Sequence, residues 1–143
     1  MGLLDLFRRK PKTVWDVLQE NPFFQQQKEL LELMSRMCVD GADSDELPNG
    51  IGEFGMVATN PVPCKTVFGS TSYLAHLRWS DGKKVAYERL GSTSSPVSPR
   101  PIDIYKISHP DGRVLATIYL SPYQNCISRK APIGFSLSPV IGS

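Results

Sequence analysis

Four side chains in the middle of the chain have the chemistry to bind an anion together: His76, Arg78, Tyr87 and Arg89. They flank an Asp81-Gly82 pair, which favours a tight turn between antiparallel strands because both residues tolerate positive φ angles. A two-residue turn would set His76 opposite Tyr87 and all four on one face. Two guanidinium groups beside an imidazole and a phenol could bind a carboxylate or a phosphate. A solvated sheet face carrying four ordinary polar residues would look the same, and both interpretations remain open.

The two predicted hairpins that would position these groups are centred on Asp81-Gly82 and Asp111-Gly112. Alternation in the first assigns one set of side chains to the core: Tyr73, Ala75, Leu77, Trp79, Ala86 and Leu90. In the second, one face receives Tyr105, Ile107, Val114, Ala116, Ile118 and Leu120, and the other Ile102, Ile104, Lys106, Leu115, Thr117 and Tyr119. The segment 92–101, rich in serine and proline, is predicted to be a loop joining the hairpins.

The N-terminal third of the sequence reads as helical. Thr13 and Asp16 have the spacing of a capping box, and Asn21-Pro22 suits the start of a second helix. Its apolar stripe, which predicts a buried face, contains Phe23, Phe24, Leu30, Leu31, Met34, Met37 and Cys38. We therefore predict an α+β fold with two N-terminal helices packed on an antiparallel sheet of four to five strands, built from two consecutive hairpins.

Along the chain we expect an amphipathic arm at 1–12 and a single domain at 13–143. Within that domain the predicted order is helices at 13–39, a connector at 40–66, the sheet at 67–127 and an irregular tail at 128–143. No apolar run is long enough to span a membrane. The odd number of widely spaced cysteines fits a reducing compartment, so a cytoplasmic location is expected.

Charge is segregated although the net charge is only +2. The segment 13–48 is acidic, whereas 49–143 is basic. Complementary halves of one domain would account for this pattern, and a small anionic ligand on the basic half is the alternative. Nucleic acid is not favoured, because no RNA-binding sheet motif is present. The arm, with leucines beside a basic cluster, leaves contact with a membrane surface as a further alternative.

Catalytic and metal motifs are lacking in the sequence, so no catalytic residue, cofactor or metal is expected. Cys64, next to the ammonium group of Lys65, is the best thiol candidate, but an inert buried cysteine is the simpler interpretation. The acids of 40–46 do not have the spacing of an EF-hand loop. The pattern Gly50-x-Gly52-x-x-Gly55 neither follows a strand nor opens a helix, which argues against a phosphate-binding loop.

Five short segments of the sequence together carry a resemblance to other proteins: Gly52–Gly55, Asn60–Pro63, Arg89–Ser92, Tyr119–Tyr123 and Ser128–Phe135. With them the stretch from 50 to 135 resembles small bacterial proteins of unassigned function. The resemblance implies a bacterial, cytosolic setting and carries no activity with it. We expect a non-enzymatic binding or assembly protein whose partner is another protein or a second copy of the chain. The alternatives are an anion binder or enzyme using the basic sheet face, and membrane contact through the arm.

Overall fold

The computed structural model describes residues 22–139, with side chains from residue 26 onward. The chain divides into two compact units, Met1–Arg36 and Met37–Ser143. Within the first unit, helix α1 spans Pro22–Arg36 and so begins at the proline that suits the first helical position. Of its predicted apolar stripe, Leu30 and Leu31 are exposed, whereas Met34 and Met37 are half-buried and Cys38 is buried. The helix predicted before it, and the arm at 1–12, lie outside the described residues.

The second unit contains one helix and six strands within its described part. Their bounds are β1 Val62–Pro63, α2 Thr66–His76, β2 Leu77–Trp79, β3 Ala86–Ser95, β4 Ser98–Ser108, β5 Val114–Ser121 and β6 Phe135–Leu137. Four strands form a sheet in the order β1-β5-β4-β3, with β1 parallel to β5 and the other pairs antiparallel. A separate antiparallel pair joins β2 to β6. The fold is α+β, as predicted, but the main sheet is mixed.

The hairpin at Asp111-Gly112 has the predicted register. Tyr105 lies opposite Ile118, and the neighbouring pairs follow the same alignment. The turn itself is one residue longer than expected, because the N–H of His109 donates to the carbonyl of Arg113. A bulge between Ile107 and Ser108 absorbs the difference. Ile107 and Ile118 therefore face the core together, as the alternation predicted.

The strand predicted to enter the first hairpin is wrong over most of its length, because Thr66–His76 is helix α2. The helix buries Tyr73 and Leu74 and leaves Ala75 exposed. Burial at helical spacing over Ser70, Tyr73 and Leu74 thus replaces burial of alternate residues. Helix α2, within the second unit, therefore contributes side chains to the core that lies on the main sheet.

The core lies between α2, the β2–β6 pair and one face of the main sheet. Its buried members are Phe54, Val62, Cys64, Tyr73, Leu74, Leu77, Ile107, Ile118 and Leu120. At the margin, Trp79 contacts Phe135 edge to face, with ring centroids 5.0 Å apart. This contact holds β6 against β2, so part of the segment predicted to be an irregular tail is a strand.

The segment 92–101 does not form the predicted loop. Strand β3 runs on to Ser95, and β4 starts at Ser98. The two strands form a long hairpin with irregular pairing at its tip, between Thr93 and Ser95. The sheet is therefore a meander of β3, β4 and β5, to which the short β1 is added.

Candidate functional site

The structure separates the four predicted ligand residues into two pairs. His76 is the last residue of α2, and Arg78 lies on β2. Tyr87 and Arg89 lie on β3, which pairs with β4 and not with β2. The predicted pairing of His76 with Tyr87 is wrong. Apart from the turn itself, β2 is joined to the following part of the chain by an isolated bridge, and that bridge lies before the start of β3.

Arg78 is used to end helix α2. Its guanidinium donates to the carbonyl of Ala75 at 2.8 Å and to that of Leu77 at 3.0 Å. These are carbonyl groups at the helix C-terminus, where a cation also interacts favourably with the helix dipole. This satisfies backbone acceptors and gives Arg78 a structural role.

Strand β3 is the more unusual feature, because it is a ten-residue edge of the main sheet. Five consecutive residues, Ala86 to Leu90, are exposed. Within residues 22–139 no other strand pairs with its outer side. A strand at a sheet edge presents unpaired N–H and C=O groups that can accept another strand. We call this surface, residues 86–95, the β3 edge.

The charged side chains on the β3 edge are engaged by its inner neighbour. Glu88 forms an ion pair with Lys106 at 3.0 Å, directly across the hairpin. Arg89 binds the carboxylate of Asp103, also at 3.0 Å, on the diagonal. Charges commonly protect edge strands from pairing. Here both are already paired within the sheet, so they oppose an added strand less than free charges would.

A bulge at Leu90 shapes the centre of this edge. Arg89 lies opposite Tyr105 and Gly91 opposite Ile104, so Leu90 is the extra residue, and its side chain is 55% exposed. Gly91 has a φ of 151°, which a side chain would adopt at a cost. The bulge leaves Leu90 free to contact a ligand.

Two aromatic residues lie beside the bulge, of which Tyr87 is exposed and Tyr105 is half-buried. Tyr87 lies opposite Ile107 in the register, and its ring meets that of Tyr105 edge to face at 6.3 Å. Tyr87 and Arg89 therefore share the face of the core residues, at its outer margin, and not the separate wet face that was predicted. Aromatic side chains with one exposed edge are typical of protein-binding surfaces.

The edge is open because β2 pairs elsewhere. The turn at Asp81-Gly82 reverses the chain, with the N–H of Trp79 donating to the carbonyl of Lys83 at 3.0 Å. Beyond that turn, however, β2 pairs with β6 and β3 pairs with β4. The strand that a simple hairpin would have placed on the β3 edge is therefore absent from it.

Two exposed lysines precede the edge. Lys83 and Lys84 form no ion pair within the described part of the chain, whereas Glu88 and Arg89 both do. The lysines therefore give the N-terminal end of β3 an excess of positive charge, which Asp81 in the turn offsets in part through its interaction with Lys83. This gradient would favour a ligand with acidic groups at that end.

A buried histidine ties the two Asp-Gly turns together. His109 Nε2 donates to Asp81 at 2.7 Å, and its Nδ1 accepts the N–H of Asp111 at 3.1 Å. The hydrogen bond from His109 is the main reason that the pKa of Asp81 is lowered. This contact keeps the chain entering β3 in a fixed position, although β2 and β3 belong to different sheets.

The remaining chemical candidates are occupied by structural contacts. Cys64 is fully buried, and burial raises its pKa to about 12, so the proposed activation by Lys65 does not occur. Asp45 and Glu46 are paired with Arg129 and Lys130. Among residues 22–139 no group of three potential metal ligands is found.

The glycines of the Gly50-x-Gly52-x-x-Gly55 loop, which was not predicted to bind phosphate, also have structural roles. Asn60, 1% exposed, lies against Gly50 and donates to the carbonyl of Gly52 at 2.9 Å. A side chain at Gly50 would collide with the amide of Asn60. Asn60 therefore holds the loop through its contacts with two of the glycines.

Sequence reasoning assigned Leu90 to the buried face, whereas in the structure it is 55% exposed at the bulge; Tyr105 is half-buried against the core. The continuation of β3 past Gly91, Ser92-Thr93-Ser94-Ser95, has only hydroxyl side chains, so no apolar alternation was present to indicate a strand there. No known protein family, curated protein or solved structure matches this chain. Neither helix in the described region is long and apolar enough to cross a membrane.

Proposed function

We propose that this chain is a non-enzymatic binding protein whose β3 edge accepts an extended segment of a partner protein as an additional strand. The observation that carries the proposal is the run of five exposed residues in a ten-residue edge strand. Added strands gain affinity from main-chain hydrogen bonds and specificity from alternate side chains. A helix or a small molecule would leave most of the edge groups unpaired.

The chemistry of the partner follows from the side chains along the edge. Tyr87 and Leu90 offer apolar contacts at its centre. Lys83 and Lys84 offer positive charge at its N-terminal end. An antiparallel partner strand would therefore carry apolar residues in its middle and acidic residues towards its own C-terminal end.

The test is selection of a phage-displayed library of random octapeptides against the full-length chain, followed by binding measurements on a synthetic selected peptide. We expect the peptide to slow amide hydrogen exchange along residues 86–95. Leu90→Lys should weaken binding at least tenfold, because it places a charge at the centre of the contact. Failure to enrich any peptide, or protection only at other residues, would refute the proposal.

The matched control is Phe68→Lys. Phe68 is 60% exposed on helix α2, compared with 55% for Leu90 on the edge, so the two variants introduce the same charge at equally exposed apolar positions. Binding by Phe68→Lys should stay within twofold of the parent. Sedimentation of the peptide-free chain addresses the earlier expectation of a homodimer: a dimer disrupted by Leu90→Lys would replace the partner protein by a second copy and refute this proposal.

A further inference from the structure

A concave surface lies at the C-terminal end of α2. We call it the His76 cleft. It has a volume of about 410 Å³, and its walls include Tyr73, His76, Ile127, Arg129 and Leu137. That volume lies in the range of sites for small molecules. None of these residues belongs to the β3 edge.

His76 presents one ring nitrogen that the fold leaves unused. Its Nδ1 lies 2.7 Å from the carbonyl oxygen of Ser72, one turn earlier in the helix. Because a carbonyl oxygen can only accept a hydrogen bond, Nδ1 carries the hydrogen in this contact. Nε2 has no partner among residues 22–139 and can donate to an anion when the ring is protonated.

Arg129 supplies the cationic group of the cleft, and its charge is partly engaged by Asp45. Its guanidinium lies 3.3 Å from Asp45, and its backbone N–H donates to the same carboxylate at 2.9 Å. These contacts lower the pKa of Asp45 and raise that of Arg129. The Arg129 side chain is nevertheless 87% exposed, so it can bind a second anionic group.

The cleft has more apolar than polar wall. Ile127, Leu137 and the ring of Tyr73 form that wall, and the Tyr73 hydroxyl is used elsewhere, since it donates to the carbonyl of Lys130. One imidazole and one half-neutralised guanidinium match a single negative charge better than a phosphate dianion. The apolar wall matches a ring or a short aliphatic chain.

From this combination we propose that the His76 cleft binds a small organic monocarboxylate with an apolar body. The carboxylate contacts His76 Nε2 and the Arg129 guanidinium, and the apolar body lies on Ile127 and Leu137. Asp45 competes with the ligand for Arg129. Removing the charge of Asp45 therefore strengthens binding, an effect that a purely structural role for these residues would not produce.

The test uses phenylacetate as the probe, titrated into the isotope-labelled full-length chain and followed by amide NMR shifts. For about ten non-hydrogen atoms we expect a Kd on the order of 1 mM. Shifts should concentrate at residues 72–76, 127–129 and 137–138. Phenylacetamide, the neutral isostere, should bind at least tenfold more weakly, because it lacks the charge that His76 and Arg129 recognise.

Three variants separate recognition from folding. His76→Gln and Arg129→Gln should each weaken phenylacetate binding about tenfold, whereas Asp45→Asn should strengthen it about threefold. The matched control is Arg113→Gln, since Arg113 is also an exposed arginine paired with an aspartate, Asp111, but lies outside the cleft. Each variant is checked for an unchanged dispersion of amide signals.

Three results would overturn the assignment. The first is the lack of saturable shifts at 20-fold the expected Kd. The second is equal binding of phenylacetate and phenylacetamide, and the third is a loss of binding in Asp45→Asn with the fold intact. Each of these results leaves the β3 edge proposal unaffected, because the two surfaces share no residue and are probed with different ligands.

Discussion

Asn60 gives the sharpest test of how the loop before β1 is built, and Asn60→Asp is the informative change. The side-chain Nδ2 donates to Glu46 and to the carbonyl of Gly52, both at 2.9 Å. Both partners are acceptors, which fixes the amide orientation. Its Oδ1 has no partner, so all the hydrogen bonding of this side chain depends on the donor that the substitution removes.

The expected cost is large because the site is buried and electrostatically one-sided. The introduced carboxylate loses two hydrogen bonds, faces the oxygen atoms of Glu46 and Gly52, and is held where Asn60 is 1% exposed. An uncompensated buried charge costs about 3–5 kcal/mol. That cost raises the unfolded population by about a hundredfold to several thousandfold, a large share of the stability of a small domain.

The assay is denaturant unfolding of parent and variant from pH 7 down to pH 4. Burial and Glu46 raise the pKa of the introduced aspartate in the folded state, so its cost is greatest above that pKa and shrinks as the pH falls. Asn49→Asp is the matched control, because Asn49 is an exposed asparagine in the same loop and should change stability by less than about 0.5 kcal/mol. A buried variant within that limit at pH 7 would refute the reasoning.

Three further predictions concern the thiols, the paired turns and the bulge. Iodoacetamide should label Cys126 in the native protein and Cys64 only after unfolding, because Cys64 is fully buried with a pKa of about 12. Peptide mass spectrometry measures the labelling of each cysteine, and labelling of Cys64 in the native protein would contradict this prediction. His109→Phe should reduce the loss of stability on acidification. The lowered pKa of Asp81 stabilises the folded state at any pH above the pKa of Asp81 in the unfolded chain, and this stabilisation is lost as the pH falls through the pKa of Asp81 in the folded state. Acid unfolding that is unchanged in the variant would contradict this prediction. Gly91→Ala should cost about 1–3 kcal/mol in denaturant unfolding through its positive φ alone, since a Cβ there meets no atom within 4 Å. A neutral effect would show that the bulge relaxes.

The β4–β5 hairpin was predicted correctly from the sequence, whereas the end of α2 was predicted to be a strand. In the hairpin, the turn signal and the alternation are local and agree. At the end of α2, Tyr73 lies four residues before Leu77, the first residue of β2, a spacing that satisfies both the strand period of two and the helical period. The intervening Ala75, exposed in the structure, was compatible with either assignment, and the Asp81-Gly82 signal decided it wrongly.

The candidate site depended on contacts that local patterns do not encode. Whether β3 is an edge or a central strand is set by which segment takes its outer side. The segment that could have done so, β2, pairs instead with β6. The first residue of β6, Phe135, comes 58 residues after Leu77, the first residue of β2. The turn between β2 and β3 carries the same Asp-Gly signal in both cases. Residue types near the site were recognised, but their grouping was not.

The open edge and the β2–β6 pair are therefore two consequences of one arrangement. Trp79, just before the Asp81-Gly82 turn, packs its ring against Phe135, and Leu77 is fully buried in the core cluster. These two contacts hold β2 away from β3. His109 holds the turn to the second hairpin, so β3 keeps its position without the strand that would normally accompany it. An extended ligand on the β3 edge would thus take a place that local hairpin geometry has prepared and tertiary packing has left empty.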